Sequence, residues 1–284
     1  MSEIQIIYKD DVNYPQALLD LKDPPKQLYV KGNLSLLKRP LVSIVGTRDC
    51  TRYGLMVAKD LAAQCVAAGF VVVSGLAEGI DAAAHQGAKQ ATIAVLGNGI
   101  DVYYPAINKD LQDEISTNGL LISEYPPSLH GGKTTFPQRN RIVAALSQAV
   151  IAVEADLHSG TLITVKMANA LKRDVYAVPG NINCYASQGT NALIANGYAK
   201  MISSIEAVIK EIAGKSIVNV SVLQKKQVTL EQQNILGLLK TDEVHFDDLV
   251  AESGLSVAQL STLLTNMEMI GLIEKLPGNY FVAK

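Results

Sequence analysis

The chain has 284 residues, of which 48% are hydrophobic and 18% charged, and a formal net charge of −2. That apolar share excludes a disordered chain, and the length divides most naturally into one larger and one smaller domain. No apolar run approaches the ~20 residues of a membrane span, and the longest stretch, residues 143–153, is interrupted by Ser147 and Gln148.

Residues 1–40 read as an extended lead-in wrapped on the sheet, with Tyr14-Pro15 and Asp23-Pro24-Pro25 as breaks and no signal-peptide core at the start. From residue 41 one rhythm repeats: a short β-branched run, a Gly-rich turn, then an amphipathic stretch. Strands are predicted at Leu41–Val45, Phe70–Val73, Thr92–Leu96, Leu120–Ser123, Ala149–Val153, Asp174–Val178 and Ala199–Ile202. Helices are predicted between them at Tyr53–Ala68, Asp81–Lys89, Asn108–Thr117, Pro137–Ser147, Thr161–Leu171, Thr190–Ala195 and Ser204–Ile212. Continuously apolar strands alternating with helices imply a mostly parallel sheet covered on both faces. The class is α/β, a Rossmann-like doubly wound domain over residues 41–213.

Residues 214–228 have no helical period and read as a linker. Residues 229–284 follow with helices at Leu230–Leu239, Phe246–Glu252 and Val257–Ile270, a turn at Thr241–Val244, and a hairpin of Leu272–Leu276 and Tyr280–Ala283 around Pro277-Gly278-Asn279. This is the order of a small winged-helix domain. Its would-be recognition helix has no Lys or Arg and carries Glu268, and residues 228–284 hold three Lys against eight Asp and Glu. Basic side chains supply most of the affinity for duplex DNA. The tail therefore fits protein docking better than duplex binding.

Cys50, Cys65 and Cys184 show no metal or CxxC spacing, which suits packed thiols in a reducing, cytoplasmic setting. With the body electrically balanced, any polyanion site must be a local one. Open parallel sheets bind ligands at the carboxyl ends of their strands. Small polar turns fall at those ends: Gly46-Thr47-Arg48, residues 74–79, Gly97-Asn98-Gly99 and Ser159-Gly160-Thr161. Bare amides and helix N-termini at such turns favour phosphate, although tight turns need glycine for their own sake. Arg48 can fork onto an anion or pair with Asp49 or Asp81. The densest cluster is Lys133, Phe136, Arg139, Asn140 and Arg141 around Pro137. Cations beside an aromatic ring fit a single strand, whose backbone follows charge and whose bases stack; Phe136 can equally be a core residue. Arg139 and Arg141 are two apart and cannot share a helix face, so one serves as an internal brace, and Arg141 is the expected one.

Enzyme readings fail on spacing. Gly97-Asn98-Gly99 lacks the later glycine of a dinucleotide fingerprint, position 102 being Val. Gly132-Lys133-Thr134 resembles the end of a Walker A loop, but its first glycine falls on Pro127. His85, His130, His158 and His245 are scattered, and His85 reads as a buried or capped histidine. Glu78, Asp81, Glu124 and Glu154 lie near the crevice without forming an acid/base pair.

The stretches VSIVGTR (42–48), VSGLAEGID with AAAH (73–85), IAVLGNGIDVYYP (93–105), ISEYPP (122–127), FPQRNRIVAALS (136–147), VEADLHSGTLIT (153–164) and DVYAVPGNI (174–182) together resemble the DprA/Smf family over roughly residues 12–205. The resemblance implies a non-enzymatic, cofactor-free protein of natural transformation. It would bind and protect incoming single-stranded DNA, load the RecA recombinase, and work as a homodimer. By position it implies a DNA pocket lined by Arg48, Lys133, Phe136, Arg139 and Asn140, with backbone contacts from Ser159-Gly160-Thr161. Position 106 is Ala where a basic residue is expected, and the extended helical N-terminal domain of many relatives is expected to be missing. Dimer contacts are expected from Leu193, Ile194 and Met201. Three or four phosphate contacts would give a log–log salt slope of roughly −2 to −3. The alternative is a small-nucleotide sensor or nucleotide N-glycosidase on the same edge, with Glu78 or Glu154 as the acid.

Overall fold

The computed structural model describes residues 3–214, 229–239, 243–269 and 271–283. It divides into two compact units, residues 1–223 and 224–284. The first is built on a nine-stranded sheet among the described residues: β1 (Gln5–Tyr8), β2 (Gln27–Gly32), β3 (Leu41–Val45), β4 (Val71–Ser74), β5 (Thr92–Leu96), β6 (Leu120–Ser123), β7 (Ala149–Ala152), β8 (Asp174–Ala177) and β9 (Lys200–Met201). Their order is β1-β2-β6-β5-β4-β3-β7-β8-β9. The chain winds outward from β3 to β6, then returns to lay β7 beside β3, so the switch point lies between β3 and β7. β3 through β9 run parallel, which sends the turns after β3, β4, β5 and β7 to a single edge.

Helices α1 (Arg52–Ala67), α2 (Ile80–Ala88), α3 (Lys109–Asn118), α4 (Thr135–Leu146), α5 (Thr161–Ala170), α6 (Gln188–Ala195) and α7 (Ile205–Gly214) cover the sheet. One face packs Ile142, Val143, Leu146, Val165 and Ala168 of α4 and α5. The other packs Ala58, Leu61, Ala83, Val208 and Ile212 of α1, α2 and α7. Every residue of β3, β4, β5 and β7 is buried, as strands covered on both faces require. Thr51 caps α1 by accepting the Gly54 N–H at 3.0 Å.

The lead-in does more than pack on the sheet as expected: two of its segments pair into it as strands. β2 pairs antiparallel with β6, Tyr29 opposite Ser123, and β1 pairs antiparallel with β2. The alternation of QLYVKG explains it: Leu28 and Val30 point into the core while their neighbours stay half-exposed, the pattern of a strand with one covered face. α4 also begins two residues before its predicted start. Pro137 sits in its first turn, where no intrahelical N–H is needed.

The second unit contains α8 (Leu230–Leu238), β10 (Val244–His245), α9 (Phe246–Ser253), α10 (Val257–Met269), β11 (Ile273–Leu276) and β12 (Tyr280–Ala283). The three strands form an antiparallel sheet, β10-β12-β11, around a core of Ile235, Leu249, Leu260, Leu264, Met267, Ile273 and Phe281. It is a winged helix. Thr229 and Gln232 close a reciprocal capping box at the start of α8. The short strand β10 stands where a turn was expected. Residues 215–228 of the expected linker lie outside the described residues, as do Ile270 and positions 241 and 242 of the turn. Among the described residues, no helix is long and apolar enough to cross a membrane.

Candidate nucleic-acid interface

At the carboxyl rim of the sheet, Phe136 of α4 lies over the β5–α3 turn. A Cβ on Gly97 would stand 2.6 Å from the Phe136 ring, and one on Gly131 would stand 2.7 Å from it. Only bare backbone lets the ring settle there. Tyr104 stacks on Phe136 with centroids 5.0 Å apart and planes 26° from parallel, and Tyr104 remains 43% exposed. Arg48, exposed after the β3 turn, holds its guanidinium 5.9 Å from the same ring. Neither alternative partner takes Arg48: Asp81 is buried and accepts the Gly75 N–H at 3.1 Å. Lys133 is exposed at the head of α4, in a turn held by the Gly132 N–H donating to Thr135 Oγ1 at 2.8 Å. Among the described residues, neither Arg48 nor Lys133 has a carboxylate partner.

The remaining predicted residues mostly build the rim. Both arginines brace, Arg141 as expected through Glu124 and Arg139, which was expected to face DNA, more deeply. Arg139 is 5% exposed, and its Nη1 donates to the carbonyls of Gly75 and Val95, tying α4 to the ends of β4 and β5. Arg139 is therefore spent internally and is no free cation for a phosphate. Arg141 is also engaged, donating from one guanidinium nitrogen to both Glu124 oxygens at 2.7 Å. Gly46 and Thr47 are likewise used: Ile80 packs against Gly46, and the Thr47 N–H donates to the Glu154 carbonyl at 2.8 Å. The Asn140 amide reaches the Gly160 carbonyl at 3.4 Å, linking α4 to the Ser159 turn. There Ser159 Oγ accepts the buried Thr161 N–H at 3.2 Å, while a Cβ on Gly160 would meet open space.

Beneath the rim lies a buried polar layer. Burial pushes the Asp81 carboxyl up, opposed by the Arg139 guanidinium and by hydrogen bonds from Ser74 and the backbone. Burial, with Arg139 second, drives His85 down to about 3, so its ring is neutral and its Nδ1 lies 2.7 Å from Thr92 Oγ1. The reading of His85 as a buried histidine agrees with this. Asn108 donates to the carbonyls of Leu76 and Ala77 at 3.1 and 3.2 Å, fixing the β4–α2 turn to α3.

The acids of the enzymatic alternative are placed apart. Glu154 is 1% exposed; its two oxygens accept the Thr51 N–H at 2.8 Å and the Thr51 hydroxyl at 2.6 Å. Glu78 is exposed and lines a cleft with Arg48, Tyr104, Phe136 and Arg139. That cleft has a volume of about 10 Å³, room for about one water. Among the described residues, no group of His, Cys, Asp and Glu is arranged to hold a metal. Cys65 is buried and Cys50 and Cys184 half-buried, all free thiols.

Tyr104 was missed by sequence reasoning; its only signal is an aromatic pair, Tyr103-Tyr104, beside a glycine turn. The expected dimer residues divide. Leu193 is 9% exposed and packs into the core of its own unit, Ile194 packs partly against it, and Met201 is 56% exposed on the edge strand β9. A leucine facing the sheet from α6 has no surface left for a partner.

Residues 5–213 match the family described as DNA recombination-mediator protein A, and residues 223–279 match the DprA winged helix domain. The chain belongs to that family. The DNA processing protein DprA of Streptococcus pneumoniae is 46% identical over 70% of this chain and 71% of its own length. Protein Smf of Synechocystis is 34% identical over 96% of this chain and 79% of its own. Among solved structures, the Streptococcus pneumoniae protein superposes with a TM-score of 0.70 at 43% identity, covering 74% of each chain. A Helicobacter pylori DNA processing protein A, described in terms of its single-stranded DNA binding mode, superposes at 0.69 with 36% identity, covering 75% of this chain and 99% of the other. The DprA family thus accounts for both units, the doubly wound body and the winged helix.

Proposed function

We propose that the carboxyl rim binds single-stranded DNA without catalysis or cofactor. One observation carries this reading: Arg48 stands over the Phe136 ring, on which the exposed Tyr104 stacks, and Lys133, exposed at the head of the same helix, is a second cation without a carboxylate partner among the described residues. A flexible polyanion meets charge for its phosphates and a flat face for its bases. The Ser159-Gly160 turn, linked to α4 through Asn140, supplies backbone to the same strand. Arg139 and Arg141 act on DNA only by holding α4 in place. The single-stranded DNA named for the Helicobacter pylori relative supports the substrate class.

Within this reading the protein belongs to the DNA processing of natural transformation. It shields an incoming strand in the cytoplasm and hands it to the RecA recombinase as a homodimer. The exposed edge at Met201 is the part of the expected dimer surface that remains available. The winged helix, with no Lys or Arg on α10, docks protein rather than duplex DNA. The small-nucleotide reading has less support, because both oxygens of Glu154 are taken by Thr51.

The test is fluorescence anisotropy of the full chain with a labelled thymidine oligomer, its duplex, and a mononucleotide competitor. Preference for the single strand, undisturbed by mononucleotide, is the expected result. Equal affinity for duplex, or displacement by micromolar mononucleotide, would reject the reading.

A further inference from the structure

The sheet has a second concavity at its other end. A cavity of about 400 Å³ opens where β3 begins and where the chain enters β7, lined by Leu41, Ser147 and Gln148. Doubly wound folds place their ligands at the carboxyl ends of the strands, so this amino-end cavity is separate from the rim. Its volume falls within the range of small-molecule sites. The rim cleft, at about 10 Å³, falls far below it.

The lining has two characters. Leu34, Leu37, Leu41 and Leu146 give it an apolar floor. Lys38, Arg39 and Arg173 give it charge, and no Asp or Glu lines it. Two of these cations are partly engaged: Arg39 donates to the Gly69 carbonyl at 3.0 Å, and Arg173 pairs with Asp20 at 2.7 Å. Lys38 is exposed and, among the described residues, has no carboxylate partner. A lining whose charge stays net positive through Lys38 and Arg39, over an apolar floor, favours an anion that brings its own apolar body.

We propose that this cavity binds a small organic anion, a carboxylate or phosphate carried on an apolar group, with Lys38 and Arg39 at the charge. The site does not depend on the DNA reading. α4 separates the two places: Phe136 and Arg139 stand at the rim, Leu146 lines the cavity, and the helix's 12 residues span about 18 Å. An anion held here does not compete with DNA.

Calorimetry of the full chain with phenyl phosphate, inorganic phosphate and benzyl alcohol tests this. Phenyl phosphate is expected to saturate with a Kd of about 1 mM or below. The other two probes, each lacking one half of the chemistry, bind about tenfold more weakly or worse. Lys38→Glu and Arg39→Gln each weaken phenyl phosphate about tenfold, Arg48→Ala leaves it unchanged, and excess thymidine oligomer does not displace it. The proposal is overturned by a lack of saturation at about 10 mM. It is equally overturned if both cavity variants retain binding, or if Arg48→Ala or the oligomer abolishes it.

Discussion

Phe136 rests on Gly97 with no room for a side chain between them: a Cβ at position 97 would stand 2.6 Å from the ring's Cδ1 and 3.3 Å from its Cα. The contact decides where the ring, and with it Tyr104, faces solvent. Gly97→Ala is expected to cost about 1–3 kcal/mol through overpacking and to weaken single-strand binding by displacing the stack. Urea denaturation and oligomer titration check both. Wild-type values in each would mean that the ring's seat is unimportant.

Arg139 and Arg48 are expected to separate cleanly. Arg139→Met leaves the buried Gly75 and Val95 carbonyls without their side-chain donor and takes away a charge that favours ionised Asp81, a loss of about 1–3 kcal/mol per orphaned carbonyl. Arg48→Ala, at an exposed site, stays within about 0.5 kcal/mol of wild type yet weakens DNA binding. Denaturation midpoints decide the matter. A stable Arg139→Met protein would refute the brace.

His85 gives the fold a pH dependence. Burial, then Arg139, lowers its folded pKa from 6.5 to about 3, so as pH falls below 6.5 the unfolded chain binds a proton that the folded one refuses. Its contribution is full above pH 6.5 and is lost on acidification, about 1.5–2 kcal/mol by pH 5. His85→Gln should flatten stability over that window. An unchanged slope in the variant would show that His85 is not responsible.

Much of the body was legible because its strands are buried on both faces. Leu41–Val45, Thr92–Leu96 and Leu120–Ser123 read as short runs apolar but for one hydroxyl residue each, and have the same limits in the structure. The two antiparallel strands of the lead-in were not legible. Gln5–Tyr8 is short and mostly exposed, so its apolar alternation is weak. At the rim, residue type and spacing brought out Arg48, Lys133 and Phe136. They could not say that Arg139 turns inward as well as Arg141, since that depends on the distant carbonyls of Gly75 and Val95. Leu193 misled for a related reason: helical spacing shows an apolar face but not what covers it.

Met201 and Leu193 are expected to answer differently to charge. Met201→Glu, on the exposed edge, leaves the fold intact and shifts a dimer toward monomer in sedimentation velocity. Leu193→Glu buries an unpaired carboxylate and destabilises the unit by several kcal/mol. A Met201→Glu protein that sediments as wild type would remove this edge from the interface.

The salt dependence of single-strand binding tests the rim most directly. With Arg139 and Arg141 spent internally, Arg48 and Lys133 are the predicted cations left to displace counterions, so the expected log–log slope is about −1.5 rather than the −2 to −3 that sequence suggests. Arg48→Ala and Lys133→Ala should each lower affinity for any sequence and bring the slope to about −0.7. Affinity and slope unchanged in both variants would contradict the account.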